Sequence, residues 1–182
     1  MNVTVIGAGS MGHGIAQVSA MAGHDVVLND VDDERVAAGL DGIESNLDGG
    51  VERGKVTESE REETLERISG DADLASAVEA ADLVVEAVPE DMDLKKNVFG
   101  DVEAAAPEDA VLGSNTSSLS VTELASCLDP PERAVGRHLF NPPHIIDIVE
   151  LVGAEQTRSA TQSAAADSVE GVGTLENRIR IP

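Results

Sequence analysis

The chain of 182 residues has no tryptophan, no tyrosine and only two phenylalanines, Phe99 and Phe140. Its core must therefore be built from Val, Leu, Ile and Ala. A single cysteine, Cys127, excludes an intrachain disulfide framework and fits a reducing compartment. No apolar run approaches the ~18–20 residues that a membrane span needs. Basic residues are scarce as well: 12 Lys and Arg stand against 35 Asp and Glu, for a net charge of −23, and only Lys55, Lys95 and Lys96 are lysines. Such a field repels nucleic acid and anionic membrane surfaces, so neither is expected as a partner. The acids are spread along the chain instead of forming one tail. This is what a surface kept hydrated in concentrated salt needs, and the expectation is a halophilic protein. The stretch Met1-Asn2-Val3-Thr4-Val5-Ile6 lacks the basic start and long apolar run of a signal peptide, so a cytoplasmic location is expected.

What the chain does contain is an alternation of strands and helices. Val3–Ile6 is a β-branched run ended by glycines and reads as a buried strand. A small-residue helix over Ser10–Met21 and a strand over Asp25–Leu28 follow. Asp32 or Asp33 then opens a longer helix, with Val36, Leu40, Ile43, Leu47 and Val51 at steps of three or four, broken by Gly54. Thr57-Glu58-Ser59-Glu60 is a capping box for a further helix carrying Leu65 and Ile68. Residues 32–69 thus form a helical hairpin insertion. Strands are expected at Asp82–Val88, Ala110–Leu112, Arg133–Leu139 and Ile146–Val152, with helices from Asp91 to Ala105 and after Ser120, whose box partner is Glu123. A weak helix follows Gly153. One domain over 1–182 is expected, of α/β class, with a doubly wound, mostly parallel sheet.

Gly7-Ala8-Gly9-Ser10-Met11-Gly12 fits G-x-G-x-x-G. The pattern directly follows a strand and opens a helix, and the next strand closes at Asp30, 18 residues after Gly12. That is the context of a Rossmann-like dinucleotide fingerprint. Gly7 makes the turn, Gly9 lets the backbone approach a pyrophosphate, and Gly12 lets helix pack on strand. The phosphates sit at the helix N-terminus, where Ser10 and Met11 lie. Asp30 accepts from the adenosine ribose hydroxyls and repels a 2′-phosphate, so NAD is expected over NADP.

Three further stretches make the match specific: Val84-Val85-Glu86-Ala87-Val88-Pro89-Glu90-Asp91, Ser114-Asn115-Thr116-Ser117-Ser118-Leu119 and His138-Leu139-Phe140-Asn141-Pro142-Pro143. Together with Gly7–Gly14 they closely resemble the NAD-binding domain of the 3-hydroxyacyl-CoA dehydrogenases, over about residues 1–158. The resemblance implies oxidation of an (S)-3-hydroxyacyl-CoA to the 3-oxoacyl-CoA, in fatty acid β-oxidation or butanoate metabolism. It implies His138 as the base and Glu150, 12 residues on, as the carboxylate that orients it. Imidazole suits the task because its pKa lies near neutrality. Ser117 matches a serine at the substrate's 3-oxygen and beside the cofactor, and Asn141 a residue near the nicotinamide. Ala87 matches the cofactor wall, and Glu90 and Lys95 match contacts to the nicotinamide side; the alternative for the last two is a solvated helix start. Asn46 and Arg53 align with contacts to the CoA portion, the alternative being that Arg53 and Lys55 balance Glu52 and Glu58. His13, His24 and His144 receive no chemical role, although His144 could line the cleft. No Cys/His cluster suggests a metal.

The resemblance also marks two departures. The family continues into a mostly helical second domain that carries its dimer contacts, and this chain stops at Pro182. The expected partners are thus an acyl-CoA, a second copy of the chain, or a separate C-terminal domain. Asn177-Arg178-Ile179 looks like the start of the family's first C-terminal helix, whose Asn assists at the substrate oxygen, but follows Glu150 about ten residues too soon; residues 159–182 read as a remnant of that junction. Two other readings stand beside the dehydrogenase: a catalytically inactive NAD-binding module, and a relative acting on another β-hydroxy acid.

Overall fold

The computed structural model describes residues 1–172 in full and the backbone of 174–180. Eight strands form one sheet: β1 (Asn2–Ile6), β2 (Asp25–Asn29), β3 (Ile68–Gly70), β4 (Leu83–Glu86), β5 (Val111–Ser114), β6 (Ala134–Leu139), β7 (Ile148–Gly153) and β8 (Thr174–Arg180). Their order is β3-β2-β1-β4-β5-β6-β7-β8. From β3 to β6 every pairing is parallel, β7 runs antiparallel to β6, and β8 is parallel to β7. The order 3-2-1-4-5-6 is that of dinucleotide-binding sheets, with its switch point between β1 and β4.

Helices α1 (Ser10–Met21), α2 (Asp33–Glu52), α3 (Glu58–Glu66), α4 (Leu74–Val78), α5 (Met92–Ala105), α6 (Val121–Ala125) and α7 (Ser159–Asp167) connect the strands. Side-chain caps start five of them, as free N–H groups at helix starts require. Asp32 accepts from Arg35 N, Asp73 from Ser76 N, Asp91 from Leu94 N and Ser120 from Glu123 N, and Thr57 with Glu60 closes a full capping box. Glu123 does not complete a box with Ser120, because its carboxylate pairs with Lys96 at 2.8 Å.

The sheet has an apolar core on each face. One joins Val3, Val5, Ile15, Leu28, Ile43 and Leu47, and the other Ile6, Val84, Phe99, Val102, Leu112 and Leu124. Three expectations are corrected. Helix α3 stops at Glu66, and Ile68 enters the edge strand β3 by pairing with Val26. The short helix α4 carries Ala77 and Val78 into the core and was not anticipated. Asn177 belongs to strand β8, not to a helix start: it is the extra residue at the register shift between Glu150/Leu151 and Glu176/Arg178. Its side chain lies outside the described residues.

Candidate active site

The glycine turn is built by close backbone approach. Gly7 has φ +98°, in the left-handed region, and its N–H donates to Asn29 O at 2.8 Å. A Cβ on Gly12 would land on the Gly7 carbonyl, so no other residue lets α1 start here. Gly9 differs: a Cβ there would meet nothing within 4 Å, because it faces a cavity. Gly9 also caps α1 without a side-chain hydrogen bond. The first N–H groups of a 12-residue helix therefore face open space, as an anionic ligand requires.

Asp30 directly follows β2 and latches this turn. Its carboxylate accepts from Ala8 N and from Val31 N, each at 2.7 Å. The cavity beside it has a volume of about 910 Å³ and runs from Asp30 and Val31 past the glycine turn to His138 and Asn141. Gly7, Gly9, Ser10, Met11, Asp30, Ala87, Glu90, Lys95, Ser117, His138 and Asn141 all line it. Gly12 lies beneath the turn, outside the lining. Sequence reasoning missed the apolar lining that Val31, Leu74 and Leu94 supply, and Arg35, which also lines the cavity.

A charge network joins the loops after β4 and β5. Glu86 is fully buried, and its carboxylate accepts from Lys95 Nζ at 2.7 Å, Val88 N at 2.7 Å and Ser114 Oγ at 2.6 Å. Lys95 is 1% exposed, and its ammonium also meets Val88 O at 3.1 Å and Glu90 Oε2 at 3.4 Å. The solvated alternative for Lys95 is thus excluded. With three oxygens around three N–H groups, its ammonium serves the loops first. Glu90 Oε1 accepts from Thr116 Oγ1 at 2.6 Å, Ser117 N at 3.1 Å and Ser118 N at 3.2 Å. Partial burial pushes the Glu90 carboxyl up, but the Thr116 hydroxyl, the Lys95 ammonium, the Ser118 hydroxyl and the Ser117 N–H outweigh it and hold its pKa at about 2. Glu90 therefore anchors the loop that presents Ser117.

His138 and Glu150 stand directly opposite in the β6–β7 register. Side chains of such cross-strand pairs lie on one face within contact. His138 Nδ1 is 2.9 Å from Glu150 Oε2, and Phe140 packs on the imidazole with ring centroids 4.6 Å apart. With Nδ1 held by the carboxylate, Nε2 is the nitrogen left for chemistry in the cavity. Asn115 fixes the neighbouring strand end, its Oδ1 accepting from Leu139 N at 2.8 Å.

Asn46 and Arg53 stand apart from this cavity. Asn46 donates to Gln17 Oε1 at 3.1 Å. Neither Arg53 nor Lys55 forms a close ion pair with an acid among the described residues. His144 does not line the cavity; burial lowers its pKa, and the charges of His13 and Arg53 lower it further. Among the described residues no cluster of His, Cys, Asp or Glu could hold a metal ion, and no helix is long and apolar enough to cross a membrane.

These features match known proteins along nearly the whole chain. Residues 2–176 match the family model for the 3-hydroxyacyl-CoA dehydrogenase, NAD binding domain. A 3-hydroxybutyryl-CoA dehydrogenase of Bradyrhizobium diazoefficiens is 40% identical over 94% of this chain and 58% of its own length. The mitochondrial hydroxyacyl-coenzyme A dehydrogenase of Sus scrofa is 39% identical over 94% of this chain and 56% of its own. The crystal structure of (S)-3-hydroxybutyryl-CoA dehydrogenase from Ralstonia eutropha superposes with a TM-score of 0.92 at 35% identity, covering 96% of this chain and 61% of that one. The chain thus spans a little over half the length of these relatives. The free α1 N-terminus, the space in front of Gly9 and the Asp30 carboxylate fit NAD, the cofactor of this domain. The chain belongs to the 3-hydroxyacyl-CoA dehydrogenase family and forms its NAD-binding domain.

Proposed function

We propose that this chain carries the cofactor and proton-transfer half of an NAD-dependent 3-hydroxyacyl-CoA dehydrogenase. The observation that carries the reading is the His138–Glu150 pair, 2.9 Å apart, opening into the same cavity as the glycine turn. NAD, when bound, supplies the acceptor for the hydride leaving C3 of the substrate. The protein supplies the rest. His138 takes the hydroxyl proton at Nε2, and Glu150 holds the ring in place through Nδ1. Ser117, on the loop tied down by Glu90, donates to the substrate's 3-oxygen and steadies it as the carbonyl forms. Asn141 lines the same end of the cavity. Arg53, a cation without a close acidic partner among the described residues, and Asn46 are the contacts for the CoA portion.

The part-length match to the relatives supports a second, helical unit in the working enzyme, either in the same polypeptide or as a separate partner, with a homodimer as the assembly. The alternative of an inactive NAD-binding module predicts cofactor binding without turnover. Acetoacetyl-CoA-dependent NADH oxidation in molar KCl, by this chain alone and with a family C-terminal domain supplied, separates them. Activity that requires His138 supports the reading; none under either condition refutes it. The scarcity of lysine, the charge of −23 and the single cysteine support a salt-rich, reducing cytoplasm as its setting.

A further inference from the structure

Two carboxylates and one ammonium meet where the β4–α5 loop borders the cavity. Lys95 Nζ lies 2.7 Å from Glu86 Oε1 and 3.4 Å from Glu90 Oε2. Two negative charges and one positive leave one negative charge in excess. Its location follows from burial. Glu86 is 0% exposed and Lys95 1%, so these two neutralise each other inside the core, where a lone charge would be very costly. The Glu90 side chain is 38% exposed and lines the cavity. The excess charge is therefore presented on the cavity wall at Glu90. That carboxylate stays ionised across the whole working range, since its pKa is about 2.

The cavity has two distinct ends. Asp30 and Val31 mark one, and His138, Ser117 and Asn141 the other. Hydride transfer requires the reacting ring at the His138 end. Glu90 belongs to that end, because it accepts from Ser117 N at 3.1 Å. The nicotinamide ring carries a formal positive charge when oxidised and none when reduced. A fixed negative charge on the wall therefore acts on the difference between the two forms and hardly on their shared phosphates and ribose.

We propose that Glu86 sets the oxidation-state preference of the site: by cancelling the Lys95 charge inside the core, it leaves the Glu90 charge uncompensated at the reactive end of the cavity, favouring NAD⁺ over NADH. The inference rests on the reading above that His138 marks the reactive end. Glu86 touches no ligand; it is a positioning residue that acts through Lys95 and Glu90. Without its charge, Lys95 would neutralise Glu90 and the wall would lose its selectivity.

The test is calorimetric titration of NAD⁺ and NADH into the purified chain and its variants. Glu86→Gln should raise the ratio of Kd for NAD⁺ to Kd for NADH by about three- to tenfold, the effect of one charge acting across a partly wet site. Adding Lys95→Met to Glu86→Gln removes the uncancelled ammonium and should bring the ratio back. Glu90→Gln, in a less buried residue, should shift the ratio in the same direction as Glu86→Gln. A merely structural Glu86 would weaken both forms alike and leave the ratio unmoved, which overturns the proposal. Should Glu86→Gln not fold, Glu90→Gln decides, and an unchanged ratio there is equally fatal. If neither form binds the wild-type chain, the cofactor reading itself fails and this inference falls with it.

Discussion

Arg137 offers a direct measure of what an unpaired charge costs in this core. It lies on β6 between Val135 and Leu139, it is 0% exposed, and no carboxylate pairs with it among the described residues. Among the described residues its single side-chain bond is from Nη2 to Ser168 O at 3.4 Å, while Nε and Nη1 are buried without partners there. Burial alone lowers its pKa from the ordinary arginine range to about 10. At about 1.4 kcal/mol per pKa unit, that difference corresponds to about 3 kcal/mol of penalty for holding the guanidinium charged at neutral pH. Methionine keeps most of the side chain's length and its apolar stem while removing the charge. Part of the gain is offset by leaving Ser168 O unbonded. Arg137→Met should therefore stabilise the chain by about 1–3 kcal/mol, which is about 3–8 °C in melting temperature for a domain of this size.

The sign also fixes a pH dependence. A base whose folded pKa lies below its unfolded value destabilises the fold while charged in it, and the penalty fades as pH rises through the folded value. The gap between Arg137→Met and wild type should hold at pH 7–9 and close from about pH 10 upward. Arg137→Lys keeps a buried charge and should gain nothing. The assay is urea unfolding followed by far-UV circular dichroism in constant molar KCl, since the chain has no tryptophan or tyrosine to report by fluorescence. An Arg137→Met protein less stable than wild type would refute the reasoning, and would show that the guanidinium has compensation beyond Ser168 O.

Three other outcomes are expected. NAD should bind more tightly than NADP in calorimetric titration, and Asp30→Ala should narrow the gap by removing the carboxylate that repels a 2′-phosphate; equal affinities in the wild type would contradict the role given to Asp30. The melting temperature should rise between dilute buffer and molar KCl, as salt screens a net charge of −23; a flat or falling response would contradict the halophilic reading. In an active assembly, His138→Ala should lower kcat by the ~10²–10⁴-fold typical of losing general acid–base help while NAD affinity stays nearly constant, and combining it with Glu150→Gln should cost far less than the product of the two single losses; full additivity would show that the pair does not act as one unit.

Much of the fold was legible because the signals are local. β-branched runs ended by glycine or acid mark β1, β2 and β4, and the caps Asp32, Thr57, Asp91 and Ser120 start the helices that they announce. The misses share a cause. Ile68 continues the apolar spacing of α3, yet pairing with Val26 captures it for β3. Helix α4 has five residues, too few to show a period. Lys95 sits beside Lys96 and Asp93, and neither a nicotinamide contact nor a solvated helix start foretells its full burial, which depends on Glu86, nine residues earlier at the end of β4. The His138–Glu150 contact likewise depends on a strand register, and the family motif supplied what periodicity does not.

One signal could have found both hidden charges. Glu86 ends the apolar run of β4 and Arg137 interrupts the buried run of β6, and a charged residue inside a buried run is always worth explaining. The signal flags the position but not its consequence. Glu86 stands at the C-terminal end of β4, next to the topological switch point, where α5, the end of β5 and the loop after β4 bring an ammonium, a hydroxyl and a backbone N–H within 2.7 Å. Arg137 stands inside β6, where among the described residues only the Ser168 carbonyl, just past α7, bonds its guanidinium. The same sequence feature thus builds a site at a strand end and carries a penalty in a strand middle. Strand ends are where backbone groups and loop side chains converge, so a buried charge there finds partners, and one placed two residues deeper in β6 than the cavity-lining Leu139 does not.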